Sequence, residues 1–218
     1  MLDRALKPVL VDPGLSPLHG AAHAFMTCER TWQRALVREI DPQPRDVILD
    51  AGCGNGTLAI LLKQACPSAS VHGTDSDPIL LTRAETRARD AGVIVHFSHG
   101  FSEGMAASAV SIRPNKLVTC MALHALPEPD KHAFLRSAFA AVEGGGQLYV
   151  ADYGEQKSPL MRLAFSHVQV IDGSERTRSH AEGRLPSLIA EAGFAEVREN
   201  LSIPTPSGSI SIYSALRP

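Results

Sequence analysis

The sequence predicts an α/β fold, a doubly wound and mostly parallel sheet wrapped by helices with a helical N-terminal cover. Three observations predict it. Apolar strand-like runs alternate with helical patterns from residue 47 to residue 152. The run Val47-Ile48-Leu49-Asp50-Ala51-Gly52-Cys53-Gly54-Asn55-Gly56 ends in an acid and passes straight into a glycine loop. A second acid, Asp75, closes the next run, Val71-His72-Gly73-Thr74-Asp75.

The elements follow in order. Pro8, Pro13, Gly14, Pro17 and Gly20 punctuate an arm that is not one helix. Across residues 21–40, Phe25, Cys28, Trp32, Leu36 and Ile40 recur at helical spacing, and Asp41-Pro42 stops the helix. Strands are expected at 47–51, 70–74, 93–98, 116–121 and 146–152, with helices at 57–66, 78–91, 103–109 and 131–142. Asp130 is placed to cap the last of these helices after the Pro127-Glu128-Pro129 break, and Glu143-Gly144-Gly145-Gly146 ends it. Beyond Asp152, helices at 159–171 and 182–192, the latter closed by Gly193, precede strands at 195–201 and 209–216. The chain divides into an arm and cover helix, 1–44, and a ligand-binding domain, 45–218, forming one compact unit.

A formal charge of −2 gives no general attraction to phosphate backbones, which disfavours nucleic acid and favours a small molecule. Cys28, Cys53, Cys66 and Cys120 stand singly, so neither a metal site nor a disulfide framework is indicated, and reduced thiols fit a cytoplasmic protein. With no run of eighteen apolar residues, no membrane insertion is expected.

Glycines at every second position, Gly52, Gly54 and Gly56, let the backbone turn tightly and approach a ligand at the N-terminus of the following helix. A dinucleotide loop G-x-G-x-x-G needs glycine at position 57, which is Thr57, so the spacing argues against a nicotinamide oxidoreductase. Asp75 at its strand end can accept hydrogen bonds from both hydroxyls of a ribose.

These motifs, with Asn115-Lys116-Leu117-Val118-Thr119-Cys120-Met121-Ala122-Leu123-His124-Ala125-Leu126 and Val142-Glu143-Gly144-Gly145-Gly146-Gln147-Leu148-Tyr149-Val150-Ala151-Asp152-Tyr153, resemble the class I S-adenosylmethionine-dependent methyltransferases. The LH-x-L and GGG-x-L-x-V-A-D-Y sequences are similar to those of small-molecule enzymes related to the quinone-biosynthesis C-methyltransferases. The resemblance implies a Rossmann-like sheet of seven strands in the order 3-2-1-4-5-7-6 with the last antiparallel. It implies S-adenosylmethionine as cofactor, S-adenosylhomocysteine as product, and metal-independent methyl transfer to O, C or N of a small, partly apolar acceptor. It allows a homodimer. The runner-up is a protein that binds the cofactor without methylating, as a sensor or for another reaction.

Carried onto this chain, the resemblance assigns the cofactor to Asp50, Gly52, Cys53, Gly54, Gly56, Asp75, Ser76, Gly100, Phe101, Ser102 and Met121. Asp50 would hold the α-ammonium, while the loop shapes the floor beneath the methionine part. Asp75 would take the ribose; its alternative is a helix N-cap, a place that Ser76 or Asp77 can fill instead. Relatives carry Gly-Asp at the third strand exit, where this chain has Gly100-Phe101. Adenine would then rest on backbone groups, Ser102 and apolar contact, with Glu103 as another acid. His124 is the candidate general base, or a residue that only packs beside the cofactor. His23, Phe25, Trp32, Asp152, Tyr153 and His167 are candidates for the acceptor pocket. Residues 15–40 and 158–184 would together cover the site. His19 and His180 lie in the same covering segments, where a surface or structural role competes. No acid occupies Met121-Ala122-Leu123, against a catechol-type magnesium mechanism.

Overall fold

The computed structural model describes residues 28–100 and 112–218. The N-terminal arm, His23, Phe25, Phe101, Ser102, Glu103 and the helix expected at 103–109 lie outside the described residues. The elements are α1 (Glu29–Ile40), β1 (Val47–Ala51), α2 (Thr57–Ala65), β2 (Ser70–Asp75), α3 (Pro78–Asp90), β3 (His96–His99) and β4 (Lys116–Cys120). They continue with α4 (Glu128–Ala141), β5 (Gln147–Tyr153), α5 (Pro159–Asp172), α6 (Ser174–Ala181), α7 (Leu185–Glu191), β6 (Ala195–Thr205) and β7 (Gly208–Leu216).

The seven strands form one sheet in the order β3-β2-β1-β4-β5-β7-β6. β1 to β5 are parallel, and β7 runs antiparallel to both β5 and β6. Alternate residues face opposite layers, as the two-residue strand period requires. Leu49, Leu117 and Leu148 are buried with Phe134 and Leu135 of α4 and Leu188 of α7. Ile48, Val118 and Tyr149 are buried with Leu36 of α1, Leu58 of α2 and Phe165 of α5. Both faces are therefore covered, and the carboxyl ends of β1, β2, β4 and β5 meet along one edge, where parallel sheets place their ligands.

α1 buries Trp32, Leu36 and Ile40, one helical stripe, on the second of these faces. Its N-terminal Glu29 is near enough to the end of β4 to help raise the Cys120 thiol pKa, after burial and Asp50. α4 starts at Glu128 behind Pro127, so Asp130 lies inside the first turn and is not the cap expected of it. A proline in that turn lacks only an N–H that has no helical partner anyway.

The helix expected at 182–192 is interrupted at Gly183, whose φ of 70° suits glycine, and α7 restarts at Leu185 with Pro186 in its first turn. Before the break stands α6, for which the sequence carries no apolar stripe: its buried residues are Thr177, Ser179 and His180. β6 extends to Thr205, past the strand end expected near residue 201. Pro204 is tolerated because β6 is an edge strand, and two register shifts against β7 mark it further.

Candidate active site at the strand ends

The glycine loop is held from below. Gly52 and Cys53 donate their amides to the Thr74 carbonyl of β2 at 2.8 and 3.0 Å, and Gly56 N–H donates to the Cys53 carbonyl at 2.9 Å. Arg87 of α3 braces the far side, donating through Nη1 to the Asn55 carbonyl at 2.9 Å and to Thr57 Oγ1 at 2.7 Å. Gly52, Gly54 and Gly56 all have positive φ, but for different surroundings. A Cβ on Gly56 would lie 2.9 Å from Ala84 Cβ and 2.9 Å from Phe97 Cζ, whereas one on Gly54 would meet nothing within 4 Å. Gly56 thus serves packing, and Gly54 opens on free space.

Asp75 ties this cradle to β2: its Oδ2 accepts from Gly54 N–H at 2.8 Å and its Oδ1 from Asp77 N–H at 2.9 Å. Each oxygen retains a lone-pair site for a ribose hydroxyl. The N-cap of α3 is Asp77, which accepts from Ile79 N–H at 2.8 Å, so Asp75 is not spent on capping. Ser76 lends its carbonyl to His99 Nε2 at 3.1 Å, and Gly100 N–H donates to the Asp75 carbonyl at 2.9 Å. Cys53 is buried, and burial followed by the charges of Asp50 and Asp75 pushes its thiol far above the usual range. Met121 closes β4 in the left-handed region, φ 51°, with its N–H on the Ala151 carbonyl at 2.8 Å. A non-glycine residue there is uncommon and stores backbone strain.

Asp50 is fully buried, and neither carboxylate oxygen has a hydrogen-bond partner. Burial, and then the charge of Asp75, raises its pKa to about 7; the Ala59 amide pulls the other way from a position short of a full hydrogen bond. A buried carboxylate without a partner is costly unless a ligand completes it.

At the ends of β4 and β5 the opposite holds. Asp152 is fully buried and saturated. Its Oδ1 accepts from His124 Nδ1 at 2.8 Å and from Tyr153 N–H at 2.8 Å, and its Oδ2 from Leu123 N–H at 2.8 Å and His124 N–H at 3.3 Å. Burial alone would raise its pKa; the neighbouring imidazoles and the Tyr153 amide outweigh that and hold it well below the usual carboxylate range. For His124, burial pulls the pKa down, but Asp152, with Asp172 behind it, brings the balance above the usual imidazole value. With Nδ1 committed to Asp152, the other nitrogen, Nε2, faces Asp172 Oδ2 at 3.6 Å. Tyr153 presents its ring edge-on to His124, with centroids 5.1 Å apart, and its hydroxyl meets Ser207 Oγ at 3.0 Å.

The structure therefore brings Asp50, the glycines, Asp75, Ser76, Gly100 and Met121 to one edge of the sheet, and His124, Asp152 and Tyr153 to the adjoining strand ends. Trp32 is buried among the α1 core residues, with no partner for its Nε1. His167 stands apart, exposed on α5 with Nδ1 near its own Ala164 carbonyl. His180, Lys131 and Asp172 join the cluster instead. Nothing local in the sequence marks them, because α6 has no hydrophobic period and Lys131 sits in an ordinary helical context.

The strand order, with a strand-end acid, an open glycine cradle and a second tethered acid, is that of the Rossmann-like fold of S-adenosylmethionine-dependent methyltransferases. A methyltransferase-domain family model matches residues 48–146, from β1 to the turn before β5. Those residues form a methyltransferase domain of the class I S-adenosylmethionine-dependent kind, whose cofactor is S-adenosylmethionine. The chain is similar to the ribosomal protein L11 methyltransferase of Thermus thermophilus, 30% identical over 160 residues, covering 73% of this chain and 56% of that protein. It is also similar to the ubiquinone/menaquinone biosynthesis C-methyltransferase UbiE of Xanthomonas axonopodis pv. citri, 25% identical over 209 residues, covering 86% of this chain and 80% of that one. Among solved structures, magnesium protoporphyrin IX methyltransferase of Synechocystis PCC 6803 with bound S-adenosylhomocysteine superposes with a TM-score of 0.67 at 18% identity, covering 96% of this chain and 91% of that one. That last likeness is one of fold. Against the Thermus protein this chain spans little more than half the length. No helix among the described residues is long and apolar enough to cross a membrane.

Proposed function

We propose that this protein transfers a methyl group from S-adenosylmethionine to an O, C or N atom of a small, partly apolar molecule, by in-line displacement without a metal ion. The observation that carries the reading is the His124–Asp152 pair at the ends of β4 and β5, beside a glycine cradle whose neighbouring acid is buried and unpartnered. When bound, the cofactor supplies an electrophilic methyl on a sulfonium. The residues present fit it: Asp50 complements an ammonium, Asp75 keeps acceptor capacity for a ribose, and the space over Gly54 admits the methionine part.

The chain's own work is to position, exclude water and handle a proton. Asp152, saturated and ionised, fixes the His124 ring, leaving Nε2 as the atom that takes a proton from the acceptor. Asp172 then stabilises the imidazolium that forms. Tyr153 and Phe165, with ring centroids 4.9 Å apart, supply apolar wall beneath the imidazole. Mass analysis after incubation with S-adenosylmethionine and candidate acceptors tests the reading. The expected result is a product heavier by one methylene together with S-adenosylhomocysteine. Cofactor binding without release of S-adenosylhomocysteine would make the protein a sensor, or a user of the cofactor for other chemistry.

A further inference from the structure

His180 is fully buried, yet neither of its ring nitrogens has a hydrogen-bond partner. Its nearest candidate is Asp152 Oδ1, 3.8 Å from Nε2. That oxygen already accepts from His124 Nδ1 and Tyr153 N–H, and the other oxygen from two further amides, so the carboxylate has no site left to offer. The position of the ring is enforced. Lys131 Nζ, itself fully buried on α4, donates to the Arg176 carbonyl and to Ser179 Oγ, the latter at 3.0 Å, and so clamps α6 on either side of Thr177 and up to the residue before His180. The imidazole is thereby held perpendicular to that of His124, with centroids 6.3 Å apart. A buried polar ring without a protein partner is unfavourable, and an apolar residue would fill the place at lower cost unless something bonds the nitrogens.

We propose that His180 is an acceptor-binding residue of this site, its two free ring nitrogens receiving a neutral group that both donates and accepts a hydrogen bond, a hydroxyl or an un-ionised carboxylic acid on an apolar body. The neutral imidazole offers one N–H donor and one bare nitrogen, the complement of such a group. A cationic amine is the poorer fit, because the Lys131 ammonium and the His124 imidazole face the same spot from α4 and from the β4 exit. Among the described residues, the anion that acts on the ring is the saturated Asp152. Burial, with Lys131 and His124 nearby, lowers the His180 pKa to about 3, so the ring is neutral at physiological pH. The proposal rests on the methyltransferase reading and narrows its acceptor to molecules carrying such a group within reach of the methylated atom.

Phenol serves as the minimal probe and toluene as its control. The full chain is loaded with S-adenosylhomocysteine, and the Cε1–H resonances of its histidines are followed by NMR during titration. Phenol should shift the His180 resonance saturably, and toluene should not. His180→Phe should weaken phenol by about tenfold or more while leaving S-adenosylhomocysteine affinity unchanged, and His180→Gln, which keeps a donor and an acceptor, should recover part of the loss. A His180 resonance that phenol leaves unmoved, or equal phenol binding by wild type and His180→Phe, would mean that buried water satisfies the ring, and would overturn the proposal. Failure of the wild type to bind S-adenosylhomocysteine would overturn the reading beneath it, a separate result visible by calorimetry before any phenol is added.

Discussion

Asp50 and Asp152 are both fully buried strand-end carboxylates, yet one has no hydrogen-bond partner and the other has four. The contrast fits the proposed roles, a carboxylate left open for the cofactor and one committed to holding His124. Because the Asp50 pKa is raised to about 7, the carboxyl is largely protonated at about pH 6 and must ionise to meet an ammonium. S-adenosylmethionine binding at that pH should therefore release a proton, and affinity should climb with pH and level off above about 7. Calorimetry in buffers of different ionisation enthalpy would measure both; an affinity flat across that range would remove Asp50 from the ammonium. His124 makes a second residue-scale case. Its raised pKa means the neutral, proton-accepting form predominates only at a pH above the ordinary imidazole value, so turnover should still be rising with pH there. His124→Gln should abolish the limb and lower turnover about 10²-fold or more with cofactor affinity retained. Full activity in that variant would leave Asp152 and His124 with a packing role alone.

Among the elements, the β1–α2 turn shows why glycines of the same sign of φ are not equivalent. Gly56→Ala adds a methyl against Ala84 and Phe97 at a left-handed φ of 75°, and should cost about 2–4 kcal/mol from crowding and strain together. At roughly 2–4 °C per kcal/mol for a chain of this size, the melting temperature should fall by about ten degrees. Gly54→Ala meets no atom and should cost only about 1–2 kcal/mol of backbone strain, while losing about tenfold or more in cofactor affinity. Equal affinity loss in both variants, after allowing for folding, would mean the space over Gly54 is not the cofactor's. α6 depends on one buried cation. Lys131→Met should leave the Arg176 carbonyl and Ser179 hydroxyl without their donor, cost about 1–3 kcal/mol for each group left unpaired, and speed amide exchange in α6 more than in α4.

Across the whole molecule, buried ionisable groups set opposing slopes of stability against pH. Asp50, raised to about 7, holds a proton in the folded state that the unfolded chain has lost, so its contribution declines from the ordinary carboxylate value up to about 7. His180, lowered to about 3, and His72, lowered less far, act the other way: the unfolded chain binds the extra proton, and stability rises with pH up to the ordinary imidazole value. Asp152 and Asp46, both depressed, contribute fully above the ordinary carboxylate value and fail in acid, while the contribution of His124 is lost as pH rises through its raised pKa. Urea unfolding should therefore show a plateau between about pH 4 and 6.5, falling on either side. Asp50→Asn should convert the plateau into a rise with pH, since His180 and His72 then act unopposed. A wild-type curve that climbs steadily through that window would show that Asp50 is not protonated in the folded protein.

The sequence by itself determined the parallel sheet, the cradle and the identity of its acids, because these rest on local signals: a two-residue strand period, a helical period, and glycines where the chain turns back. The run from Val47 to Gly56 carries its geometry within ten neighbouring residues, and the observed β1 and α2 begin and end within a residue of expectation. Tertiary structure alone decided which side chains meet. α6 was invisible because it buries Thr177, Ser179 and His180, with no apolar stripe, and is anchored by a lysine from another helix. Of the two histidines in residues 158–184, the one named for the acceptor pocket, His167, faces solvent, and the one left off that set, His180, lies beside His124. No pattern along the chain distinguishes them, since burial and hydrogen-bond supply depend on partners brought from β4, α4 and β5. The same reason separates Gly54 from Gly56: both need a left-handed backbone, which the sequence announces, but only the packing of α3 and β3 decides that one abuts protein and the other opens on free space.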